Sequence, residues 1–555
     1  MKALNLTEFP LDSLSLIEAS AGTGKAYAVA NLYLRYLLER GFTVEQILVV
    51  TFTEAATQEL KDRIRLRIQE LRRVFEGHET NDPILNFLVS QSASPEKDQL
   101  SLRLAERQID QAQIHTIHGF CQQILKRHAL DANVPLKQAL LEDQTQLRQA
   151  ALEDYWRRYV LSLSTEELQF IVEKWSEPSA LQGELSPLLN RSPEAIIPQP
   201  SAAGLAHWQE SFKAYQAWFI ELKETTLEMI ASVEALLIDL PLKANNTKLK
   251  WLGQMQAWAA APVLNYALPK TGKDSLFQRF TTSRVVTETP KNKASPEHAY
   301  FDFLEAHLEK PLPDVHALFI AQSYPLVREL IDEAKQQQNV FSFDDLISRV
   351  SVALSINRES TNKQSNKALA AMISAPYQVA LIDEFQDTDP AQYHIFSRLF
   401  GTNSPKDDAR MVLIGDPKQA IYGFRGGDIA TYLRAKRDIS NHVNGHVFTM
   451  DTNWRSSPSM VSAVNAIFAS ADNAFMAEDI PFQAVNAAKS SIDSLPPQAL
   501  FISQFEAGKS TKGDIENALA LQCVKQIKGL LNQPKSLCLE NDKPLEHSDI
   551  AILVR

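Results

Sequence analysis

Short runs of consecutive apolar residues alternate along the chain with longer stretches in which apolar positions recur every three or four residues. Ile47-Leu48-Val49-Val50-Thr51 is one such run, rich in β-branched residues, as expected of a strand buried on both faces in a parallel sheet. Val379-Ala380-Leu381-Ile382 and Met411-Val412-Leu413-Ile414-Gly415 repeat the pattern, and each stops at an acid, Asp383-Glu384 in the first case and Asp416 in the second. A shorter β-like run from Ile114 turns at Gly119 into a helical stretch. From Thr53 to Val74 the period is helical. Leu60, Ile64, Ile68 and Leu71 share one face, while Lys61, Arg63, Arg65, Arg67, Arg72 and Arg73 crowd the remainder, which by itself reads as a solvated amphipathic helix.

Between about Pro135 and Asn339 the texture changes to long amphipathic segments broken by prolines near 178–200 and 262–297, and six of the seven tryptophans lie here. This predicts a mostly helical inserted domain whose tryptophans anchor its core. Within it, Pro269 to Pro296 carries Lys270, Lys273, Arg279, Arg284, Lys291 and Lys293 among Thr, Ser, Gly and Pro, so a mobile basic loop or a solvated linker is expected. Strands alternating with helices on both sides of the insertion describe a doubly wound α/β domain interrupted by a guest. The expected boundaries are 1–134 and 340–445 for the two parts of that domain, 135–339 for the insertion, and 446–555 for a further, incomplete α/β unit that begins near Val447. The last apolar run, Ile550-Ala551-Ile552-Leu553-Val554, reads as a strand with an open edge, as in a truncated protein or one completed by something else.

Composition narrows the classes. At 45% hydrophobic and 22% charged residues the chain has an ordinary globular balance, and its formal net charge of −11 confines any nucleic-acid surface to a local groove. Cys121, Cys523 and Cys538 have no spacing that suits zinc or a disulfide framework, which fits a reducing cytoplasm. His115 and His118 have no third ligand nearby and are not a convincing metal pair. No export signal or membrane span is visible.

The candidate chemistry starts at Ala19-Ser20-Ala21-Gly22-Thr23-Gly24-Lys25-Ala26, a small-residue turn between an apolar run and a helix-like segment, Tyr27 to Leu38. Small residues let backbone N–H groups wrap phosphate oxygens, the helix N-terminus adds partial positive charge, and Lys25 is placed to reach β- and γ-phosphates. An ordinary strand-to-helix turn is the competing reading, because the strict phosphate-loop pattern would have Gly at Ala19 and Ser or Thr at Ala26. Asp383 and Glu384, at the carboxyl end of a parallel strand, supply one carboxylate for the water shell of Mg²⁺ and one to orient or deprotonate an attacking water.

Read together with Val50-Thr51-Phe52-Thr53-Glu54, Thr116-Ile117-His118-Gly119-Phe120-Cys121, Asp383 to Asp389, Gly415 to Asp428 and Thr452-Asn453-Trp454-Arg455-Ser456, the chain resembles the superfamily 1 DNA helicases of the UvrD type, and within them the RecB-like branch. The resemblance covers the whole chain, as an N-terminal motor portion. It implies a RecA-like parallel-sheet domain with a large helical insertion and part of a second RecA-like domain. It also implies ATP and Mg²⁺ as cofactors, RecC- and RecD-like subunits as partners, and 3′-to-5′ unwinding of DNA in double-strand-break repair and recombination. On that resemblance residues 19–26 cradle the phosphates, Asp383 holds Mg²⁺, Glu384 activates water and Gln419 senses the γ-phosphate. Arg455 would be an arginine finger and Trp454 would stack on adenine. Phe52, Thr53, Arg63, Thr116, His118, Tyr422, Phe424 and Arg425 would line the single-strand track, and the insertion would meet duplex DNA. Aromatic stacking and backbone-directed cations suit a motor that does not read sequence.

Two departures from the family pattern stand out. Ala26 removes the hydroxyl that would ligate Mg²⁺, and the chain stops ahead of the later family motifs, so impaired hydrolysis is expected. A non-catalytic DNA- or partner-binding remnant is the alternative; a P-loop enzyme of another class is disfavoured by the Gly415-to-Asp428 block.

Overall fold

The alternation expected of strands buried on both faces is realised residue by residue. In the strand Ile47–Thr51, Ile47 and Val49 enter one core while Leu48 and Val50 enter the other, and Val379 and Leu381 are separated from Ala380 and Ile382 in the same way. The computed structural model describes residues 2–130, 139–141, 143–189, 196–291, 293–355, 363–406, 408–421, 427–475, 479–488, 511–532 and 545–553. They fall into two units, one of 1–140 with 341–555 and one of 141–340.

The first unit is built on seven parallel strands: β1 (Lys2–Ala3), β2 (Leu14–Ala19), β3 (Ile47–Thr51), β4 (Gln113–Thr116), β5 (Val379–Ile382), β6 (Met411–Gly415) and β7 (Gly445–Met450), in the order β1-β7-β2-β6-β5-β3-β4. Helices cover both faces. On one, α1 (Lys25–Glu39) contributes Val29, Leu32, Tyr33 and Tyr36, and α2 (Glu54–Phe75) contributes Leu60, Ile64, Ile68 and Leu71, the stripe predicted from the spacing. On the other, α3 (Ile117–Arg127) packs Phe120, Cys121 and Ile124 beside helices Phe343–Leu354 and Pro390–Phe400. This is the RecA-like α/β architecture the motifs implied.

Three local expectations are corrected. The run from Ile114 ends its strand at Thr116 rather than turning at Gly119, because the Thr116 hydroxyl accepts the Gly119 N–H at 3.1 Å and caps α3 three residues earlier. Residues 550–553 form no strand and Leu553 is 97% exposed; without a hydrogen-bonded neighbour an apolar run has no ladder to join, and Val554 lies outside the described residues. Val447, read as the start of a further unit, sits in β7, paired with β2 in the same sheet.

The second unit is helical, with two cores. One gathers Trp156, Trp175, Trp208 and Phe319, and the other Trp218, Trp258, Phe277 and Tyr300, around α4 (Leu205–Asp239), α5 (Asn245–Ala260) and α6 (Val315–Gln338). The tryptophans are core anchors, as expected. The segment expected as a mobile basic loop is instead packed: Leu276, Phe277, Phe280 and Val285 are buried, and Arg279 pairs with Asp274 at 2.7 Å. Apolar residues at helical spacing outweigh the Gly and Pro signals there. No helix among the described residues is long and apolar enough to cross a membrane, and no cluster of three or more potential metal-binding side chains occurs among them.

Candidate nucleotide and nucleic-acid site

Parallel strands all end on the same edge of a sheet, so β2, β3, β4, β5, β6 and β7 deliver their following residues to one side of the first unit. The segment after β2 is a tight loop. Gly22 (φ +75°) and Gly24 (φ +93°) take left-handed conformations, and Thr23 returns both its N–H (3.2 Å) and its hydroxyl (2.7 Å) to the Ser20 carbonyl. Gly24 caps α1 and has no side chain to bond the N–H groups that open the helix. Ala26, on the first turn, is half-buried with its methyl packed against the core and offers no side-chain oxygen.

Lys25 Nζ lies 2.5 Å from Glu384 Oε2. Glu384 is one of three described non-glycine residues with a left-handed backbone (φ +50°), a conformation that costs about 1–2 kcal/mol and turns the chain sharply after β5. Beside it, burial and then the Glu384 charge push the Asp383 carboxyl up to about 6, and the same two causes raise Asp387 to about 6. One oxygen of Asp387, Oδ1, is buried without a hydrogen-bond partner. After β6, Asp416 is buried, pairs with Lys418 Nζ at 2.9 Å and accepts from Gln419 Nε2 at 2.6 Å, so Gln419 is held over the strand end.

The segment after β7 closes onto the loop after β2. Asn453 Nδ2 donates to the Ala21 carbonyl at 2.9 Å, and the Trp454 N–H donates to the Gly22 carbonyl at 2.8 Å. Asn453 Oδ1 accepts the N–H groups of Arg455 (2.9 Å) and Ser456 (2.8 Å), fixing the turn that presents an exposed Arg455 and a 63% exposed Trp454. A Cβ at Gly22 would meet Asn453 Nδ2 at 2.8 Å and Arg455 Cβ at 3.0 Å, so only glycine lets the two segments approach this closely. The nucleotide candidates therefore come from four adjacent strand ends, β7, β2, β6 and β5.

The nucleic-acid candidates that are described follow β3 and β4, next along the same sheet. Phe52 is half-buried, and Thr53 caps α2 by accepting the Ala56 N–H at 3.1 Å. Arg63 is exposed on α2 and pairs with Glu59 at 2.7 Å. Thr116 is buried and donates to Glu54 at 3.0 Å, tying the start of α3 to the start of α2. His118 meets the Phe343 ring edge-on at 5.8 Å, and burial lowers its pKa, which favours the neutral ring. Tyr422, Phe424 and Arg425 lie outside the described residues.

Asn453, Asp416 and Gln386 stand inside the motifs, where the sequence assigns them no task. Asn and Asp at the start of turns are readable as backbone caps. Gln386 accepts the Asp416 N–H from across the β5–β6 strand pair, a contact that carries no local signal. Glu18 was also missed: buried at the end of β2, it pairs with Lys436 at 2.8 Å, a partner 418 positions away that nothing in the local sequence announces.

Comparison with known proteins agrees with the fold. Residues 3–440 match the family model described as UvrD/REP helicase N-terminal domain. The chain is 36% identical, over its whole length, to the RecBCD enzyme subunit RecB of Escherichia coli strain K12, of which the match covers 47%. It is 32% identical over its whole length to the protein of the same name from Haemophilus influenzae, covering 48% of that protein, and 30% identical over 88% of its length to that of Buchnera aphidicola subsp. Baizongia pistaciae, covering 40%. The chain thus spans about half the length, or less, of these curated relatives.

Proposed function

Because the chain belongs to the UvrD/REP helicase family, we propose that it is the motor portion of a RecB-like subunit, which uses ATP to move 3′-to-5′ on single-stranded DNA and unwind duplex in double-strand-break repair and recombination. RecC- and RecD-like subunits are its expected partners. The observation that carries this reading is the Lys25–Glu384 pair: a loop lysine and a strand-end acid from segments 359 positions apart meet where the first turn of α1 is uncapped.

The residues fit a nucleotide with Mg²⁺. Asp383 and Asp387 titrate high and Asp387 keeps a buried unpartnered oxygen, both marks of excess negative charge at this strand end. Mg²⁺, when bound, supplies the positive charge that neutralises phosphate oxygens. In this reading the N–H groups of residues 19–26 cradle the phosphates, and Lys25 exchanges its carboxylate partner for them. Asp383 holds the metal, Glu384 accepts a proton from water, and Gln419 contacts the γ-phosphate from its anchor on Asp416. Arg455 offsets charge at the transferred group, and Trp454 provides a face for adenine. Phe52, Thr53, Arg63, Thr116 and His118 contact the single strand, together with Tyr422, Phe424 and Arg425.

Ala26 favours a second reading, a chain that binds nucleotide or DNA without turnover, since no hydroxyl stands on the first turn of α1 to ligate the metal. The two are separated by measuring Mg²⁺-dependent ATP affinity and phosphate release stimulated by single-stranded DNA, for the chain, for Ala26→Thr and for Glu384→Gln. The expected result is hydrolysis that Glu384→Gln abolishes and an affinity that Ala26→Thr tightens about tenfold, worth ~1.4 kcal/mol. Nucleotide binding with no hydrolysis in either the chain or Ala26→Thr would favour the non-catalytic reading.

A further inference from the structure

Gln386, two residues beyond Glu384, is 3% exposed, and its amide spans two strand ends. Oε1 accepts the Asp416 backbone N–H at 2.9 Å, Nε2 donates to Glu384 Oε2 at 2.7 Å, and Nε2 also faces Asp387 Oδ2 at 3.5 Å. The orientation of this amide is dictated by its partners. A backbone N–H can only donate and a carboxylate can only accept, so the oxygen must face Asp416 and the nitrogen must face Glu384. Glu384 Oε2 is the same oxygen that meets Lys25, so donors from the loop after β2 and from Gln386 converge on it.

The neighbouring strand leaves room for this arrangement. A Cβ at Gly415 would stand 2.6 Å from Gln386 Oε1 and 3.0 Å from the Gln386 backbone nitrogen, so a side chain there would push the amide off the Asp416 N–H. Asp416 in turn holds both Lys418 and Gln419. A continuous polar chain therefore runs from Lys25 through Glu384 and Gln386 to the turn that carries Gln419.

We propose that Gln386 is a positioning residue for hydrolysis. By fixing Oε2 of Glu384 it aims the other carboxylate oxygen at the attacking water, and it makes that aim depend on the position of the Asp416-to-Gln419 turn. The inference rests on the reading of Glu384 as the group that accepts the proton. Once Lys25 has turned to the phosphates, Gln386 is the donor that remains on this oxygen; without it the carboxylate swings about its own side-chain torsions, and a misplacement of about 1 Å in such a group costs on the order of 10²-fold in rate.

The test is single-turnover phosphate release from ATP with the full chain in excess, in the Ala26→Thr background, beside fluorescent-ATP affinity and thermal unfolding of each variant. Gln386→Met, similar in length with no donor or acceptor of comparable strength, is expected to lower the rate constant about tenfold to a hundredfold while ATP affinity changes less than about twofold. Gln386→Glu keeps an acceptor for Asp416 but sets a like charge against Glu384, and should lose at least as much rate. Gly415→Ala should show the same split between rate and affinity. Glu384→Gln separates the two levels of the argument: if it hydrolyses as fast as the background, the reading of Glu384 fails. If it is inactive while Gln386→Met is as fast as the background, only the positioning role fails. Parallel loss of rate, affinity and melting temperature in all three test variants would make Gln386 a structural residue and overturn the proposal, and absence of hydrolysis in the background would overturn it together with the reading it rests on.

Discussion

Asp387 shows at the scale of one residue how a site of this kind is maintained against stability. The residue is 5% exposed, one carboxyl oxygen has no hydrogen-bond partner, and burial together with Glu384 raises the carboxyl to about 6. A carboxyl raised above its unfolded value of 3.8 favours folding while protonated and opposes it once ionised, so its contribution is lost as pH climbs through 6. Asp387→Asn removes that ionisation. In the nucleotide-free chain the variant should be more stable than the parent at pH 8, by up to about 3 kcal/mol at ~1.4 kcal/mol per pKa unit, and the gain should shrink steadily between pH 6 and pH 4. Denaturant midpoints across that range provide the check; a gain independent of pH would mean that the unpartnered oxygen, not the charge, is what costs stability. Lys25 differs in kind. Its ammonium already has a partner in Glu384, so no buried charge is left unpaired there.

Helix α2 has two faces of opposite character. Its apolar stripe holds the sheet, with Leu60, Ile64, Ile68 and Leu71 as its only buried residues, and Thr53 satisfies its first turn. Its outer face is cationic, and most of those charges are spoken for: Lys61 and Arg65 by Asp110, Arg67 by Asp82, Arg72 by Glu106. Arg63 has a half-exposed pair with Glu59 one turn away, worth about 0.5 kcal/mol or less, and so can be turned to a phosphate at little cost. Arg63→Ala should therefore leave thermal stability nearly unchanged and lower the log–log salt slope of oligo-dT binding by roughly 0.7, the share of one phosphate. An unchanged slope would return α2 to a purely structural helix.

At the scale of the whole chain, residues 141–340 have cores of their own. The two clusters of that unit include no residue of the clusters that flank the sheet. A unit with its own interior folds as one, so a polypeptide of residues 141–340 is expected to unfold cooperatively, with tryptophan emission shifting to the red as Trp175 and Trp208 become hydrated. A gradual shift without a transition would mean that the unit depends on the chain around it.

Much of this was already written in the sequence. Burial of every residue in β3, β5 and β6 and period-3.6 burial in α2 follow from local patterns of apolar residues, continuous in the strands and every third or fourth position in the helix. Motif residues at strand ends are legible for a similar reason: a buried parallel strand must stop where polar residues begin, and all such stops share one edge. The strand at Ile550 failed by the converse rule, since a strand exists only by pairing and pairing is not local. The segment at 269–296 failed because Gly and Pro punctuate a chain without saying whether the apolar residues between them, here Phe277 and Phe280, have a core to enter. Tertiary structure alone decided that β7 would join the first sheet, that Asn453 would close the loop at Ala21 from 432 positions away, and that Gln386 would bridge Glu384 and Asp416. Those contacts are set by which strand ends become neighbours, and strand order is fixed only when the whole sheet is buried between its two layers of helices.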